Sequence, residues 1–270
     1  MTNPSPREVQ SSVFNKLLEP IEPFIQDQES KLPKHHNQIF NYYDFFILLM
    51  YYFVAGKQSV GLFVKTELKL LPITLGLRQV AYSTFNDAFE RFSPNLFQEV
   101  FKYILSTIPF KQISELSTLG VLYCIDGSLF PVINSMLWAE YTSKHCALKL
   151  HLCFELNRMI VVEFLVTAAN GSERKALQEM LKAGVTYIGD RGYMSFELCH
   201  LMMQKEAYFV FRLKRNLLCF TIKKLPVLLP ESVESVFKQV TDEMIDFTND
   251  KFKHTYRLVC FTVPFHHSKF

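Results

Sequence analysis

Hydrophobic residues recur with the period of a helix over the first part of the chain. The stretch from Ile39 to Ala55 is almost entirely apolar and predicts one buried helix, which Gly56 would end. Ser93 and Pro94 mark the start of a later helix, because serine caps a helix and proline suits its first position. We therefore predict an all-helical N-terminal region over residues 1–115.

This helical region is a possible DNA-binding element. The segment around Val80–Arg91 is a candidate for a helix-turn-helix, on a weak signal. An ordinary helix pair is the favoured alternative, because no pattern of base-reading side chains stands out in the segment.

After Gly120 the pattern changes to alternating strands and helices. The segments that predict a strand or a helix are, in chain order, Val121–Ile125, Cys146–Leu156, Met159–Thr167, the helix Glu173–Ala183, Val185–Ile188, a helix from Ser195 to Gln204, and Ala207–Phe211. The second and third strands predict a hairpin. The order is that of the α/β ribonuclease-H-like fold, a mixed sheet with helices on both faces. We assign this core to residues 116–216 and leave 217–270 as a less regular, strand-containing segment.

Composition narrows the class of protein. The net charge of +3 neither supports nor excludes nucleic acid, but residues 141–216 hold 11 Lys or Arg against 7 Asp or Glu. The six cysteines form no CxxC pair, so they predict reduced thiols of a cytoplasmic protein. The most apolar stretch, Phe45–Ala55, is well short of the roughly 20 residues of a membrane span, so we predict no membrane segment.

Two aspartates follow predicted strands directly. Asp126 comes after Val121–Ile125, and Asp190 comes after Val185–Ile188 with glycine on one side and Arg191 on the other. Because the first and fourth strands of this fold are neighbours, we expect the two carboxylates to meet. Carboxylates that close repel each other unless a cation lies between them, and hard oxygen ligands favour Mg²⁺ or Mn²⁺. Such a site suits phosphodiester chemistry with two ions ~3.5–4 Å apart.

The two motifs that hold these aspartates resemble a known family. The runs Ile125-Asp126-Gly127-Ser128 and Gly189-Asp190-Arg191-Gly192-Tyr193 are similar to those of DDE transposases of bacterial insertion sequences, in the group typified by insertion sequence four. The resemblance implies metal-dependent DNA cleavage and strand transfer at the ends of a mobile element. The resemblance implies that Asp126 and Asp190 are catalytic metal ligands. It also implies that the protein binds the terminal repeats of the element and target DNA, and that it can self-associate on DNA.

The resemblance also implies a third carboxylate, a Glu on a late helix in a Tyr-x2-Arg-x3-Glu-x6-Lys pattern. No such pattern occurs in the sequence: Tyr256-Arg257 has the wrong spacing, and Glu231, Glu234 and Glu243 lack the right neighbours. The expectation is therefore a chain truncated inside the β-rich insertion of the family, over residues 217–270, before the catalytic helix.

Five basic residues are candidates for contacts with DNA. Phosphate contacts supply most non-specific affinity for DNA, and the basic run after the last strand offers them. The candidates are Lys149, Arg191, Arg212, Lys214 and Arg215. For each of them, a solvated or structural charge is the alternative.

Three functions stay open at this point. The first is an active transposase. The second is a DNA-binding remnant without catalysis, and the third is another metal nuclease of the same fold, which would place its third carboxylate elsewhere.

Overall fold

The computed structural model describes residues 13–34, 38–56, 59–66, 75–78, 80–132, 139–142, 145–214, 216–230 and 236–263. The chain divides into two compact units, Met1–Pro109 and Phe110–Phe270. We describe each unit by itself. The finer boundary predicted at residue 216 stays a prediction.

The N-terminal unit is helical. It contains a helical stretch over residues 13–18, followed by α1 (Glu22–Lys31), α2 (Tyr42–Val54), α3 (Val60–Thr66), α4 (Tyr82–Arg91) and α5 (Pro94–Thr107). The helix predicted over Ile39–Ala55 is α2, which begins later because Asn41 caps it by accepting the Asp44 N–H at 2.8 Å. Ser93 caps α5 and Pro94 occupies its first turn, as predicted.

An aromatic core holds this unit together. Phe45 of α2 is buried, and its ring contacts Phe85 of α4 with the centroids 5.6 Å apart. The same ring contacts Phe92 and Phe97 at 5.6 and 6.1 Å. Burying several rings of this size contributes strongly to stability. The α4–α5 pair is thus well packed, and its DNA-binding role stays a prediction.

The second unit contains a mixed sheet of six strands. Its elements are a 3-10 helix (Ser114–Leu119), β1 (Val121–Val132), β2 (Glu140–Thr142), β3 (His145–Glu155), β4 (Ile160–Ala168), α6 (Glu173–Glu179), β5 (Val185–Gly189), α7 (Phe196–Gln204) and β6 (Tyr208–Phe211). The strand order is β2-β3-β1-β5-β6, and β4 also pairs with β3. The β3–β4 hairpin is antiparallel, whereas β1, β5 and β6 run parallel. This order confirms the predicted ribonuclease-H-like fold and its mixed sheet. The two described helices of this core, α6 and α7, pack on one face of the sheet, whereas the sequence predicted helices on both faces.

Both helices of this unit share one core with the sheet. Tyr123, Ile125 and Tyr187 lie on that face of the sheet. Leu177 of α6 and Leu198 of α7 pack against them and are fully buried. Strand alternation therefore turns the even-numbered residues of β1 and β5 toward the opposite face.

Helix α6 is shorter than the predicted Glu173–Ala183. It ends at Glu179, because the buried hydroxyl of Tyr187 accepts the Lys182 N–H at 2.9 Å and donates to the Met180 carbonyl at 2.8 Å. Gly184 then turns the chain into β5 with a φ of 75°, a conformation that glycine adopts without strain.

Residues beyond the core form a second, antiparallel sheet. It contains β7 (Cys219–Lys224), β8 (Gln239–Phe247) and β9 (Thr255–Thr262), with β8 in the centre. Ile245, Phe247 and Tyr256 pack with Met194 and Cys199, so this sheet lies against α7. In the part of the chain that the structure describes, no helix is long and apolar enough to cross a membrane.

Candidate active site

Asp126 and Asp190 each lie two residues beyond the last pair of the parallel strands β1 and β5. That last pair is Cys124 and Ile188. Asp126 is still part of β1, whereas Asp190 follows the end of β5 at Gly189. Neighbouring strands lie roughly 4.8 Å apart. Both aspartates are exposed, and both lie at the carboxyl end of the same parallel pairing.

One detail of the predicted setting is wrong. Asp126 does not follow the end of its strand, because β1 continues to Val132. Beyond Cys124 the strand leaves β5 but stays paired with β3, with Asp126 opposite Leu152 and Gly127 opposite His151. Asp126 thus lies just beyond the end of the parallel pairing, inside the longer antiparallel ladder.

A short loop fixes the carboxylate of Asp190. Its Oδ1 accepts the Gly192 N–H at 2.7 Å, and Arg174 of α6 donates from Nε to the Gly192 carbonyl at 3.0 Å. A Cβ on Gly192 would lie 2.9 Å from that Oδ1 and 3.4 Å from Oε2 of Glu173. A side chain at this position would require the Asp190 carboxylate to move. Sequence reasoning missed Arg174, since no motif distinguishes it from other helical arginines.

Glu173 is a third acidic side chain beside this loop. Besides its approach to Gly192, its Oε1 would lie 3.2 Å from a Cβ on Gly127, the residue after Asp126. The sequence pattern indicates Glu173 only as the start of a helix. Its Oε1 lies 3.3 Å from Nζ of Lys149, whose side chain is 15% exposed. Lys149, a candidate for DNA contact, therefore has an acidic partner within the protein.

The buried phenol of Tyr193 lies within the influence of all three carboxylates. Burial raises the pKa of Tyr193, and the negative charges of Glu173, Asp126 and Asp190 raise it further. Tyr193 is 3% exposed and stacks on Phe211 with the ring centroids 6.2 Å apart. It stays a neutral, packed side chain beneath the acidic residues.

The acidic residues are not arranged as a complete metal cage. Among the described residues, no group of three or more His, Cys, Asp or Glu side chains is placed to hold a metal ion. Asp126 and Asp190 by themselves are a pair of hard oxygen donors. Such a pair fits a single cation of the Mg²⁺ or Mn²⁺ type, which completes its shell with water.

A cavity of about 450 Å³ opens next to Asp190. It is lined by Arg191, Gly192, Lys214 and Asn216. Lys214 also donates from Nζ to the Met194 carbonyl at 3.2 Å. Two of the five basic candidates, Arg191 and Lys214, are thus brought together beside the aspartates. Arg212 directly follows β6, and its N–H bonds to the Gly189 carbonyl at 3.2 Å. Arg215 lies outside the described residues.

His151 on β3 is a packed strand histidine. It is 1% exposed, and its Nε2 lies 3.0 Å from Oγ1 of Thr167 on β4. Burial lowers the pKa of His151, with Lys149 lowering it further. A neutral, buried imidazole of this kind is a packing residue of the sheet.

Of the late residues considered for the third carboxylate motif, those that the structure describes lie on strands and not on a helix. Tyr256 and Arg257 stand on β9, where the Tyr256 hydroxyl donates to Asp250 at 2.9 Å. Glu243 on β8 accepts a hydrogen bond from Thr221 at 2.6 Å. Glu231 and Glu234 fall outside the described residues. The described part of the second sheet therefore offers no Glu in the helical setting that the sequence resemblance implies.

Part of the chain is similar to a known protein family. Residues 118–226 match the family model described as "Transposase DDE domain". No curated protein matches the sequence. One solved structure that resembles the chain is the cryo-EM structure of the piggyBac transposase synaptic complex with hairpin DNA, at 10% identity and a TM-score of 0.32. The match covers 96% of this chain and 52% of that one, so the chain spans about half the length of that protein.

Proposed function

We propose that the chain is a DDE transposase, with Asp126 and Asp190 in its catalytic metal site and DNA as its substrate. The segment that matches the transposase DDE domain, residues 118–226, contains both aspartates and every strand and helix from β1 to β6. The observation that carries the proposal is that Asp126 and Asp190 each lie two residues beyond the last pair of the parallel strands β1 and β5. Membership of the insertion-sequence-four group is part of the same proposal, and it rests on the Asp-Gly-Ser and Gly-Asp-Arg-Gly-Tyr motifs.

Some residues of the proposed site would bind the cation, and others orient the carboxylate that binds it. Asp126 and Asp190 would hold a divalent cation of the Mg²⁺ or Mn²⁺ type, which supplies activation of the attacking oxygen when bound. Gly192, fixed by Arg174, directs its N–H to one oxygen of Asp190 and leaves the other free. A carboxylate oriented in advance binds a cation with less loss of entropy than a freely rotating one.

The cavity beside Asp190 is suited to a phosphate of the DNA backbone. Arg191 and Lys214 line it, and Gly192 and Asn216 complete its wall. An Arg offers a planar fork of donors and a Lys a point charge, and both bind phosphate oxygens. A phosphodiester held there would lie next to the carboxylate pair. Arg212 and Arg215 belong to the same basic run, and we assign them supporting contacts with the backbone.

Metal binding tests the site without relying on cleavage. Mn²⁺ titration followed by electron paramagnetic resonance should give saturable binding to the wild-type chain. Asp126→Asn and Asp190→Asn should each weaken that binding by at least tenfold, because asparagine keeps the shape of the side chain but loses its charge. Asp87→Asn is the matched control, since Asp87 is exposed on α4 of the other unit. Equal Mn²⁺ binding by all four proteins would overturn the assignment.

A DNA-binding protein without cleavage activity is the second candidate function. It is favoured by one observation: among the described residues, no third metal-ligating side chain joins Asp126 and Asp190. The two functions share the DNA contact and differ in catalysis. A cleavage assay with Mg²⁺ on DNA that carries the element's ends separates them. The transposase, extended by a segment with the Tyr-x2-Arg-x3-Glu-x6-Lys pattern, cuts that DNA, and the binding protein extended in the same way only retards it in a gel.

A further inference from the structure

Two histidines meet between helix α7 and the second sheet. Nδ1 of His200 on α7 lies 2.9 Å from Nε2 of His254, the residue before β9. Both side chains are half-buried and reachable from solvent. The proposed reaction does not use them.

The surroundings fix both imidazole rings. Phe252 stacks on His200 with the centroids 4.0 Å apart and the planes 10° from parallel. Asp250 is buried and accepts the N–H groups of Phe252 and His254 at 3.0 and 3.1 Å. The turn that presents His254 is therefore held by its own hydrogen bonds. The two ring nitrogens face each other because of the fold and do not depend on flexible surface side chains.

We propose that His200 and His254 form a binding site for a divalent transition-metal cation such as Zn²⁺. Neutral imidazole has one N–H and one lone pair, so in the present contact one ring donates to the other. When both rings carry their proton on the far nitrogen, Nδ1 of His200 and Nε2 of His254 both present lone pairs to the same point. No proton is lost from the pair in this change of tautomer.

The distance between the nitrogens fits such an ion with a small adjustment. Zn–N bonds are about 2.0–2.1 Å long, so two ligands of a tetrahedral ion lie roughly 3.3 Å apart. The present separation of 2.9 Å has to widen by a few tenths of an ångström, which side-chain rotation allows. Water completes the shell. Imidazole ligands suit Zn²⁺, Ni²⁺, Co²⁺ and Cu²⁺, whereas Mg²⁺ prefers oxygen, so this site and the aspartate site select different cations.

A bound ion would join α7 to the second sheet. The salt bridge between Glu197 and Lys251 already spans the same two elements at 2.9 Å, but both side chains are more than half exposed, and such pairs stabilise little. A metal bridge at His200 and His254 binds only the folded arrangement. It therefore raises the stability of the whole unit in proportion to the occupancy of the site.

Thermal unfolding with and without Zn²⁺ tests the site. The wild-type chain should show a Tm that rises with Zn²⁺ concentration. His200→Gln and His254→Gln should each weaken the apparent Zn²⁺ affinity by at least tenfold. The sequence has two further histidine pairs, His35-His36 and His266-His267, and changing both members of either pair to Gln is the matched control. These control variants should keep the wild-type response.

Imidazole ¹⁵N resonances give a second readout that does not depend on how the variants fold. In the wild-type chain, Zn²⁺ should shift the Nδ1 signal of His200 and the Nε2 signal of His254 together, at the same metal concentration. A wild-type Zn²⁺ response that persists in both His→Gln variants, or imidazole signals of His200 and His254 that Zn²⁺ leaves unchanged, overturns the proposal. Either result leaves the transposase proposal untouched, because Mn²⁺ binding at the aspartates is measured separately.

Discussion

Asp126 and Asp190 each lie two residues beyond Cys124 and Ile188, the last pair that joins β1 to β5, although the two aspartates are 64 residues apart in sequence. Two exposed carboxylates held near each other repel when both are charged. A cation removes the repulsion, which is why this relationship is the basis of the proposed function.

Strand cleavage by the 270-residue chain alone is expected to be slight or absent in Mg²⁺. Two aspartates hold one ion well and a second one poorly, while in-line displacement depends on both. The measurement is a cleavage assay on DNA that carries the element's ends. A matched protein extended by a segment with the Tyr-x2-Arg-x3-Glu-x6-Lys pattern should cleave, and Asp126→Asn or Asp190→Asn should abolish that cleavage. Robust cleavage by the present chain that is insensitive to both substitutions would mean that the active site lies elsewhere.

DNA binding is expected to be mainly electrostatic. Arg191 and Lys214 line the cavity beside Asp190, and Arg212 and Arg215 lie in the same basic run. Replacing any one of them with Ala should lower the slope of log K against log salt by about one unit, because one phosphate is then no longer neutralised by the protein. Fluorescence anisotropy with a short duplex at several salt concentrations measures the slope. Lys223→Ala, on the exposed strand β7, is the control, and a wild-type slope after all four Arg and Lys changes would refute the assignment.

Lys149 is expected to stabilise the fold more than it binds DNA. It pairs with Glu173 at 3.3 Å and has little exposed surface. Lys149→Met should therefore leave the salt slope of DNA binding unchanged while it lowers the free energy of unfolding. A double-mutant cycle with Glu173→Gln should give a coupling of about 0.5–1 kcal/mol in urea unfolding, since the pair is partly solvated. A lowered salt slope with no coupling would show instead that Lys149 contacts phosphate.

Asp44 should make the helical unit less stable as the pH rises. The carboxyl group is 6% exposed, and burial raises its pKa to about 6, against a reference near 3.9 in an unfolded chain. The folded state thus binds the proton more tightly, so stability is greatest below about pH 4 and is lost as the pH rises through 6. Asp44→Asn should raise the free energy of unfolding by about 1–2 kcal/mol at pH 7.5 and change it little at pH 4.

Urea unfolding of the wild type and Asp44→Asn at pH 4 and pH 7.5 measures this effect. Asp87→Asn is the matched control, because Asp87 is an exposed aspartate of the same unit and should show no such difference. An Asp44→Asn change that is destabilising at pH 7.5 would show that the ionised carboxylate has a stabilising partner.

The sequence by itself determined the elements and the chemistry they carry. The period-two alternation of β3, the Ser93-Pro94 start of α5 and the two Asp-containing motifs are local signals, which depend on residues a few positions apart. Strand order followed from the order of the elements. These signals were sufficient to predict the mixed sheet and to place Asp126 and Asp190 after the paired parts of two neighbouring strands.

Only the tertiary structure decided the contacts between distant residues. No local pattern indicates that Arg174 donates a hydrogen bond to the loop after Asp190, or that Glu173 forms a salt bridge with Lys149. The same is true of the contact between the rings of His200 and His254, which are 54 residues apart. The length of β1 beyond Asp126 was also missed, since its continuation depends on pairing with β3 and not on its own residues. Such contacts arise from side chains that the packing of whole elements brings within a few ångströms, and the pattern of one segment does not contain that information.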